Sequence, residues 1–184
     1  MPLGHNFENV LGAAKGGADW AWEALYRDLA GPVIGYLASR RAPDPEDVAA
    51  ETFLQVARGI HAFEGNEAAF RSWVFVIAHR RLIDTRRKAM REPNLVAFPV
   101  DESGHQGGNV ETEAMDRLVT AELEQALEVL SDDQHDVLAL RIIANLTLEE
   151  TADAVGKKVG AVKALQRRGL IALRTHLDEG RVSP

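Results

Sequence analysis

Basic side chains are concentrated in two segments of this chain. Residues 68–92 contain seven Arg and Lys residues against two acidic ones, and residues 157–176 contain six with no acidic residue. Arg and Lys neutralise phosphates, and Arg, Lys and Gln also hydrogen-bond to base edges in the major groove. The two segments therefore favour two contacts with a polyanion such as nucleic acid. Ordinary solvated helix faces are the alternative explanation.

The elements that carry these side chains are predicted to be helices. Apolar residues recur at helical spacing and strand-like alternation is almost absent, which indicates an all-α fold. In the first half, Gly31-Pro32 predicts a break, and Asp44 followed by Pro45 predicts a helix start. The helices predicted there cover residues 7–15, 19–29, 33–41, 45 to about 60, and 67–90.

In the second half, a short helix, a glycine turn and a basic helix predict a helix-turn-helix. Helices are expected over 113–130, from 132, from 148 and over 159–177. Two capping boxes are expected to open the second and third of these, Ser131 with Gln134 and Thr147 with Glu150. Gly156 suits a positive φ between the last two helices.

The last helix is expected to enter the major groove of DNA, because that groove admits an α-helix. Lys163, Gln166 and Arg167 lie within one turn of each other, so they can face outward together. Helical proteins that bind no DNA can contain the same elements.

A segment rich in Pro, Gly and Ser separates the two halves. It interrupts the helical periodicity after Glu92-Pro93 and reads as a flexible linker. Residues 101–136 hold eleven acidic side chains and a single basic one, so the linker is acidic. We predict two small helical domains, 1–92 and 113–184, joined by a flexible acidic linker over 93–112.

Composition excludes several classes of protein. The 184 residues include no cysteine, which rules out disulfides, a thiol nucleophile and thiolate metal sites. The six histidines lack metal-ligand spacing and no phosphate-cradling glycine loop is present, so we expect no catalytic residue, metal or cofactor. No apolar run approaches the ~20 residues that span a bilayer, and the N-terminus lacks a secretory signal, so a cytoplasmic protein is expected.

Several segments resemble a known family. The second half, on LSDDQ (130–134), LALR (138–141), LTLEETA (146–152) and GAVKALQRR (160–168), is similar to region 4 of bacterial sigma factors. In the first half, DPEDVAAETFLQV (44–56) and FRSWVFVIAHRRLIDTRR (70–87) resemble the two principal helices of region 2. With both motifs in this order and only a linker between them, the chain resembles the extracytoplasmic-function (ECF) group.

The resemblance implies binding to core RNA polymerase, to its β′ and β subunits, and to promoter DNA, which the protein helps to open. It also implies an anti-sigma factor as a partner. The residues implied in polymerase binding are Asp47, Glu51, Leu54 and Arg58. Those implied at the −10 element are Asn66, Phe70, Arg71, Ser72, Trp73, His79, Arg80, Arg86, Arg87 and Lys88. Those implied at the −35 element are Lys158, Lys163, Ala164, Gln166, Arg167 and Arg168.

Two points stay open on the sequence alone. For Trp73, helical spacing with Ile77 and Asp84 favours core packing over stacking on a base. For the function of the whole chain, one alternative is a helix-turn-helix repressor or activator with an N-terminal dimerisation or sensing domain. Another is a helical scaffold or adaptor that does not bind DNA. A stable dimer on a palindrome would indicate the repressor or activator.

Overall fold

The computed structural model describes residues 3–91 and 127–180, and within these ranges the chain is helical without strands. The predicted linker 93–112 and most of the predicted helix 113–130 lie outside the described residues. The helices are α1 (Phe7–Lys15), α2 (Asp19–Ser39), α3 (Pro45–Gly59), α4 (Glu67–Arg91), α5 (Asp132–Ile142), α6 (Leu148–Val155) and α7 (Val159–Gly180). Short 3₁₀ turns occupy Gly4–Asn6 and Ile60–Ala62. The predicted all-α class is confirmed.

Helix α2 continues through Pro32, which corrects the predicted break at Gly31-Pro32. Proline lacks the N–H that closes a helical hydrogen bond, and its ring crowds the preceding turn, at a cost of about 3 kcal/mol. The helix nevertheless buries one apolar face on both sides of the proline, from Leu29 to Leu37. Tertiary burial of this face therefore outweighs the local preference of the proline.

The helices that carry the first basic segment and its neighbour begin at side-chain caps. The Asp44 carboxylate accepts a hydrogen bond from the Asp47 N–H at 2.9 Å, and Pro45 occupies the first helical position, as predicted. Asn66 acts in the same way for α4, where its side-chain oxygen accepts from the Ala69 N–H at 2.9 Å. These caps define where α3 and α4 begin.

The helix-turn-helix forms as predicted. Both capping boxes are present: the Ser131 and Thr147 hydroxyls accept from the backbone N–H groups of Gln134 and Glu150 at 3.4 and 3.2 Å, and the latter side chains bond back. Gly156 ends α6 with φ +66°, the left-handed conformation that glycine adopts without strain. The turn lets α7 cross α6.

Each half has a buried apolar centre. The first half buries residues of all four of its helices, with Phe7, Tyr36, Phe70 and Phe75 among the bulkiest. The helix-turn-helix closes on a smaller cluster formed by Val137, Ala152, Val162 and Leu165. Helix α7 approaches α5 so closely that a β-carbon on Gly169 would lie 2.8 Å from Leu138 Cδ1.

The two halves also pack against each other. Helix α6 lies on α4, and α5 reaches α2. Buried residues of the second half, among them Leu140, Leu146 and Ala154, join the apolar core of the first half. The sequence predicted both helical halves but not this contact between them.

Candidate nucleic-acid interface

Helix α7 presents a cationic face to solvent because its opposite face is buried. Val162 and Leu165 point into the helix-turn-helix core, with exposed fractions of 0% and 8%. This rotation leaves Lys163 and Arg167 exposed on the outer face. Within the described residues, neither cation has an acidic partner at ion-pairing distance. Both are therefore available to a phosphate or a base edge.

The remaining residues predicted at the −35 element lie on or next to this face. Ala164 and Lys158 are exposed, and Gln166 is half-buried beside Lys163 in an open groove of about 440 Å³. Arg168 is exposed, but its Nε donates a hydrogen bond to the Ala164 carbonyl at 3.3 Å, which holds it along its own helix. Leu170 and Ile171 extend the groove and add exposed apolar surface. Five of the six predicted residues thus lie on α7, and Lys158 immediately precedes it.

A second exposed face runs along α3. Asp47, Leu54 and Arg58 are exposed there, with Leu54 at 58%. Glu51 lies between them but is partly occupied, because its carboxylate lies 3.6 Å from the guanidinium of Arg81 on α4. Asp47 is therefore the more available of the two carboxylates that the sequence predicted for polymerase contact.

The start of α4 differs from the prediction. Phe70 and Ser72 are core residues, exposed by 2% and 8%. The Phe70 ring contacts Phe7 at 5.6 Å and Phe63 at 5.2 Å between centroids. Neither side chain reaches the surface, so the predicted contacts of Phe70 and Ser72 with DNA are not available in this structure. For Phe70, burial of its aromatic surface explains the difference, since it stabilises the fold.

Trp73 is half-buried and packs against the protein core, as its helical spacing with Ile77 and Asp84 predicted. Its indole stacks on Phe63, with centroids 5.2 Å apart and planes 27° from parallel. Asn66 is exposed, with its side-chain oxygen occupied by the cap of α4. Arg71 is held by Asp28 at 3.4 Å. This end of α4 therefore offers an aromatic pair beside a polar helix start.

The middle and the C-terminal part of α4 are cationic, but two of the residues predicted there are turned inward. Arg80, Arg87 and Lys88 are exposed. His79 is only 7% exposed, and its Nδ1 lies 2.7 Å from the Tyr36 hydroxyl. Arg86 is half-buried and donates a hydrogen bond to the carbonyl of Arg40. The predicted DNA contacts of His79 and Arg86 are thus replaced here by contacts within the protein.

Burial favours the neutral forms of His79, His135 and Tyr36. It lowers the pKa of His79 below its usual value, against the opposing effect of the nearby Asp136 carboxylate. It also lowers the pKa of His135 to about 4, reinforced by the charges of Arg40 and Arg86. Burial raises the pKa of Tyr36, so its hydroxyl stays protonated.

The described residues give no sign of a metal centre. No group of three or more His, Asp or Glu side chains within 3–91 and 127–180 is arranged to hold a metal ion. Over the same ranges, no helix combines the length and apolar character needed to span a bilayer.

Comparisons with known proteins identify the family of the chain. The family models described as sigma-70 region 2 and sigma-70 region 4 match residues 22–92 and 126–175. The ECF RNA polymerase sigma factor ShbA of Streptomyces griseus is 33% identical over 137 residues, which are 73% of this chain and 72% of ShbA. The chain belongs to the ECF sigma factors. SigX of Bacillus subtilis, another ECF sigma factor, is 31% identical over 72% of this chain and 70% of its own length.

Solved structures agree on the fold of this sigma factor. CnrH, in complex with the cytosolic domain of CnrY, has 22% identity and a TM-score of 0.67, over 92% of this chain and 96% of that one. Region 2 takes in most of α2 with α3 and α4, and region 4 takes in α5 to α7. The protein is a transcription initiation factor, and its relatives are sigma factors.

Sequence reasoning missed two features of the sigma factor. The first is Gly59, which has no side chain and so lets the Trp73 indole lie against the backbone of α3. In the sequence, only the position of this glycine near a helix end could have indicated the contact. Arg40 and Asp136 join region 2 to region 4 through a buried ion pair. They are 96 residues apart, so no local pattern could have found them.

Proposed function

We propose that the sigma factor contacts the −35 element through α7, with Lys163 and Arg167 as the principal contacts. The main support for this proposal is that these two cations are exposed on a helix whose opposite face is buried in the core of the helix-turn-helix. Gln166 lies beside them and suits an adenine edge, whereas Ala164 suits a thymine methyl group. Lys158 and Arg168 flank this face and suit phosphates.

The exposed side chains of α4 form the second DNA contact, at the −10 element. Arg80, Arg87 and Lys88 neutralise phosphates there. Opening the duplex requires an unstacked base to be held, which costs a few kcal/mol and calls for a stacking partner. The pair of Trp73 and Phe63, next to Asn66, is the aromatic surface near this helix that can supply one.

Core RNA polymerase binds the exposed face of α3. Asp47 offers a free carboxylate, and Leu54 offers apolar surface beside Arg58. A mixed face of this kind suits a basic surface with an apolar centre, since charge complementarity steers association and apolar burial holds it. Glu51 contributes less than Asp47 because Arg81 neutralises it.

The protein acts by binding, without a catalytic step of its own, and works in the cytoplasm, where its polymerase partner lies. An anti-sigma factor regulates it. Solved structures support this part, since RpoE of Bartonella quintana is described in complex with the anti-sigma factor NepR and matches this chain with a TM-score of 0.59 at 20% identity.

Run-off transcription tests the proposal. The purified chain is added to core polymerase with a panel of promoter fragments, and a promoter-dependent transcript is expected that core polymerase alone does not produce. Absence of such a transcript on every promoter would contradict the proposal. So would a stable dimer that binds a palindrome without polymerase, since that result indicates a repressor or activator.

A further inference from the structure

The N-terminal segment, residues 3–15, lies before the stretch that matches region 2, which begins at residue 22. It comprises a 3₁₀ turn and helix α1, and α1 packs on α2 and on the 3₁₀ turn Ile60–Ala62. Phe7 of α1 is only 3% exposed, and its ring centroid lies 5.6 Å from that of Phe70 on α4. This segment, which we call the brace, is therefore anchored in the core beside the start of α4.

The brace holds both ends of the loop that leads into α4. At one end, the Lys15 ammonium donates a hydrogen bond to the Phe63 carbonyl at 2.6 Å. At the other end, the backbone N–H groups of Leu3 and Gly4 donate to the carboxylate of Glu67 at 2.6 and 2.9 Å. Each contact joins a charged group to a backbone group, and hydrogen bonds of this kind are stronger than those between neutral groups.

The braced loop, residues 63–67, carries part of the surface proposed to hold an unstacked base. Phe63 stacks on Trp73 with ring centroids 5.2 Å apart, and Asn66 is exposed in the same loop. Gly65 has φ +150° and lies so close to the Phe63 ring that a β-carbon there would be 3.1 Å from it. The turn thus packs on the ring, and the brace holds the backbone that carries both.

We propose that the brace positions the braced loop for promoter opening, with Lys15 and Glu67 as positioning residues. The inference rests on the function assigned above to Trp73, Phe63 and Asn66. Lys15 and Glu67 act through the loop backbone and need no contact with DNA. Without them, the loop would have to be ordered when the base is captured, and this loss of conformational entropy would oppose opening. The brace orders the loop before DNA arrives, which is the advantage of preorganisation.

Two variants remove the contacts of the brace one at a time. Lys15→Met keeps the apolar stem and the helix propensity of lysine but has no donor. Glu67→Asp keeps a carboxylate at the start of α4 but is one methylene shorter, so it should lose the N–H groups of Leu3 and Gly4. Circular dichroism of both variants should equal that of the parent, and either one that folds is sufficient for the tests.

Hydrogen exchange in the free full-length protein tests whether the brace holds the loop. In each variant the amides of the braced loop should exchange about tenfold faster than in the parent, as expected when one charge-assisted hydrogen bond is lost. Exchange in α5 to α7 should not change. Unchanged exchange of the loop in the folded variants would overturn the proposal.

Run-off transcription with core polymerase tests whether the position of the loop affects opening. On a duplex promoter, each variant should yield about fivefold less transcript than the parent, because the loop is no longer preordered. On the same promoter premelted across the −10 element, the loss should stay below about twofold, since the duplex is already open. Equal losses on both templates would overturn the proposal, because they would indicate a general defect in folding or assembly. So would full transcription from the duplex by a variant whose loop exchanges faster.

Lys15→Arg and Arg27→Met are the matched controls. Lys15→Arg keeps a donor at the same place and should retain most of the duplex transcription that Lys15→Met loses. Arg27→Met removes an exposed cation of α2 that pairs with Glu23, and it should leave both loop exchange and the ratio of duplex to premelted transcription at the parent values. Equal effects of Arg27→Met and Lys15→Met would overturn the proposal, since loss of positive charge would then explain both.

The exchange measurement uses neither DNA nor polymerase, so failure of the brace and failure of the proposed function are distinguishable. Absence of any promoter-dependent transcript with the parent would reject the proposed function, and loop exchange would still decide whether the brace holds the loop. A normal parent transcript with unchanged loop exchange in the variants would reject the brace alone.

Discussion

The indole of Trp73 lies against Gly59, so closely that a β-carbon on Gly59 would come within 2.9 Å of the ring. Gly59 is the last residue of α3, and Trp73 belongs to α4. The absence of a side chain at Gly59 thus leaves room for Trp73, whose ring stacks on Phe63. This aromatic pair lies between α3, which we propose binds polymerase, and α4, which we propose contacts the −10 element. A change at Gly59 should disturb that pair without removing any side chain.

Gly59→Ala should lower the free energy of unfolding by about 1 kcal/mol, since overpacking costs more than the helix propensity that alanine adds. It should also reduce transcription from duplex promoters more than from premelted ones, because the aromatic pair is displaced. Urea denaturation and run-off assays measure the two effects. Gly12→Ala is the control, since nothing lies within 4 Å of its added carbon, and it should be stabilising. Stabilisation of both variants would show that Trp73 tolerates the extra methyl group.

Replacing Lys163 and Arg167 together by alanine should weaken holoenzyme binding to a −35 element by roughly 10- to 100-fold, because direct base and phosphate contacts are lost. The dependence of log affinity on log salt should become shallower by roughly two. Fluorescence anisotropy at several salt concentrations measures both. Arg27→Ala removes an exposed cation that pairs with Glu23 in region 2 and serves as the control. An equal loss of affinity in Arg27→Ala would show that the effect comes from the lower positive charge of the protein and not from contacts of α7 with the −35 element.

Asp47→Lys should weaken assembly with core polymerase by about tenfold, which is about 1.4 kcal/mol. Glu46→Lys is a close control, because Glu46 is also exposed in the first turn of α3 but lies roughly 100° around the helix from Leu54 and Arg58. Both changes place a cation at a helix start, so the local cost to α3 is shared. Glu51→Gln should have a smaller effect than Asp47→Lys. Equal binding by the two lysine variants would reject the proposed polymerase face.

Acidification should destabilise the folded protein through His135. Its pKa is about 4 in the folded state against 6.5 in the unfolded chain, so the unfolded state takes up the proton first. The contribution of neutral His135 to the free energy of unfolding is fully present above pH 6.5 and is lost as the pH falls towards 4. By pH 5 the loss amounts to about 2 kcal/mol. His79 acts in the same direction, facing Tyr36, Asp136, Arg40, Arg86 and Arg80.

Urea denaturation at pH 7.5 and pH 5 measures this effect. The difference between the two pH values should be smaller in His135→Gln, which has no group that titrates there. The same pH dependence in the parent and in His135→Gln would show that other groups cause the loss of stability.

Much of the fold was predictable because it depends on interactions within a few residues. The caps at Asp44, Ser131 and Thr147 and the turn at Gly156 each depend on one side chain and the backbone beside it. The exposed face of α7 was predictable for a similar reason, since helical periodicity alone separates Val162 and Leu165 from Lys163 and Arg167.

Predictions that depended on distant partners were less successful. The break at Pro32 was wrong because buried residues on both sides of it keep α2 intact. Phe70 and His79 were assigned to DNA from their place in a family motif, but Phe70 packs against the rings of Phe7 and Phe63, and His79 is buried beside Tyr36 and Asp136.

The sequence by itself determined most of the helices and their caps, because propensity, periodicity and capping act over one or two turns. It also contained the two motifs whose order resembles that of ECF sigma factors. Only the tertiary structure decided which of those side chains are available and that Arg40 meets Asp136 across 96 residues. Burial and ion pairing between segments far apart in the chain depend on how whole helices pack, and no local pattern records that packing.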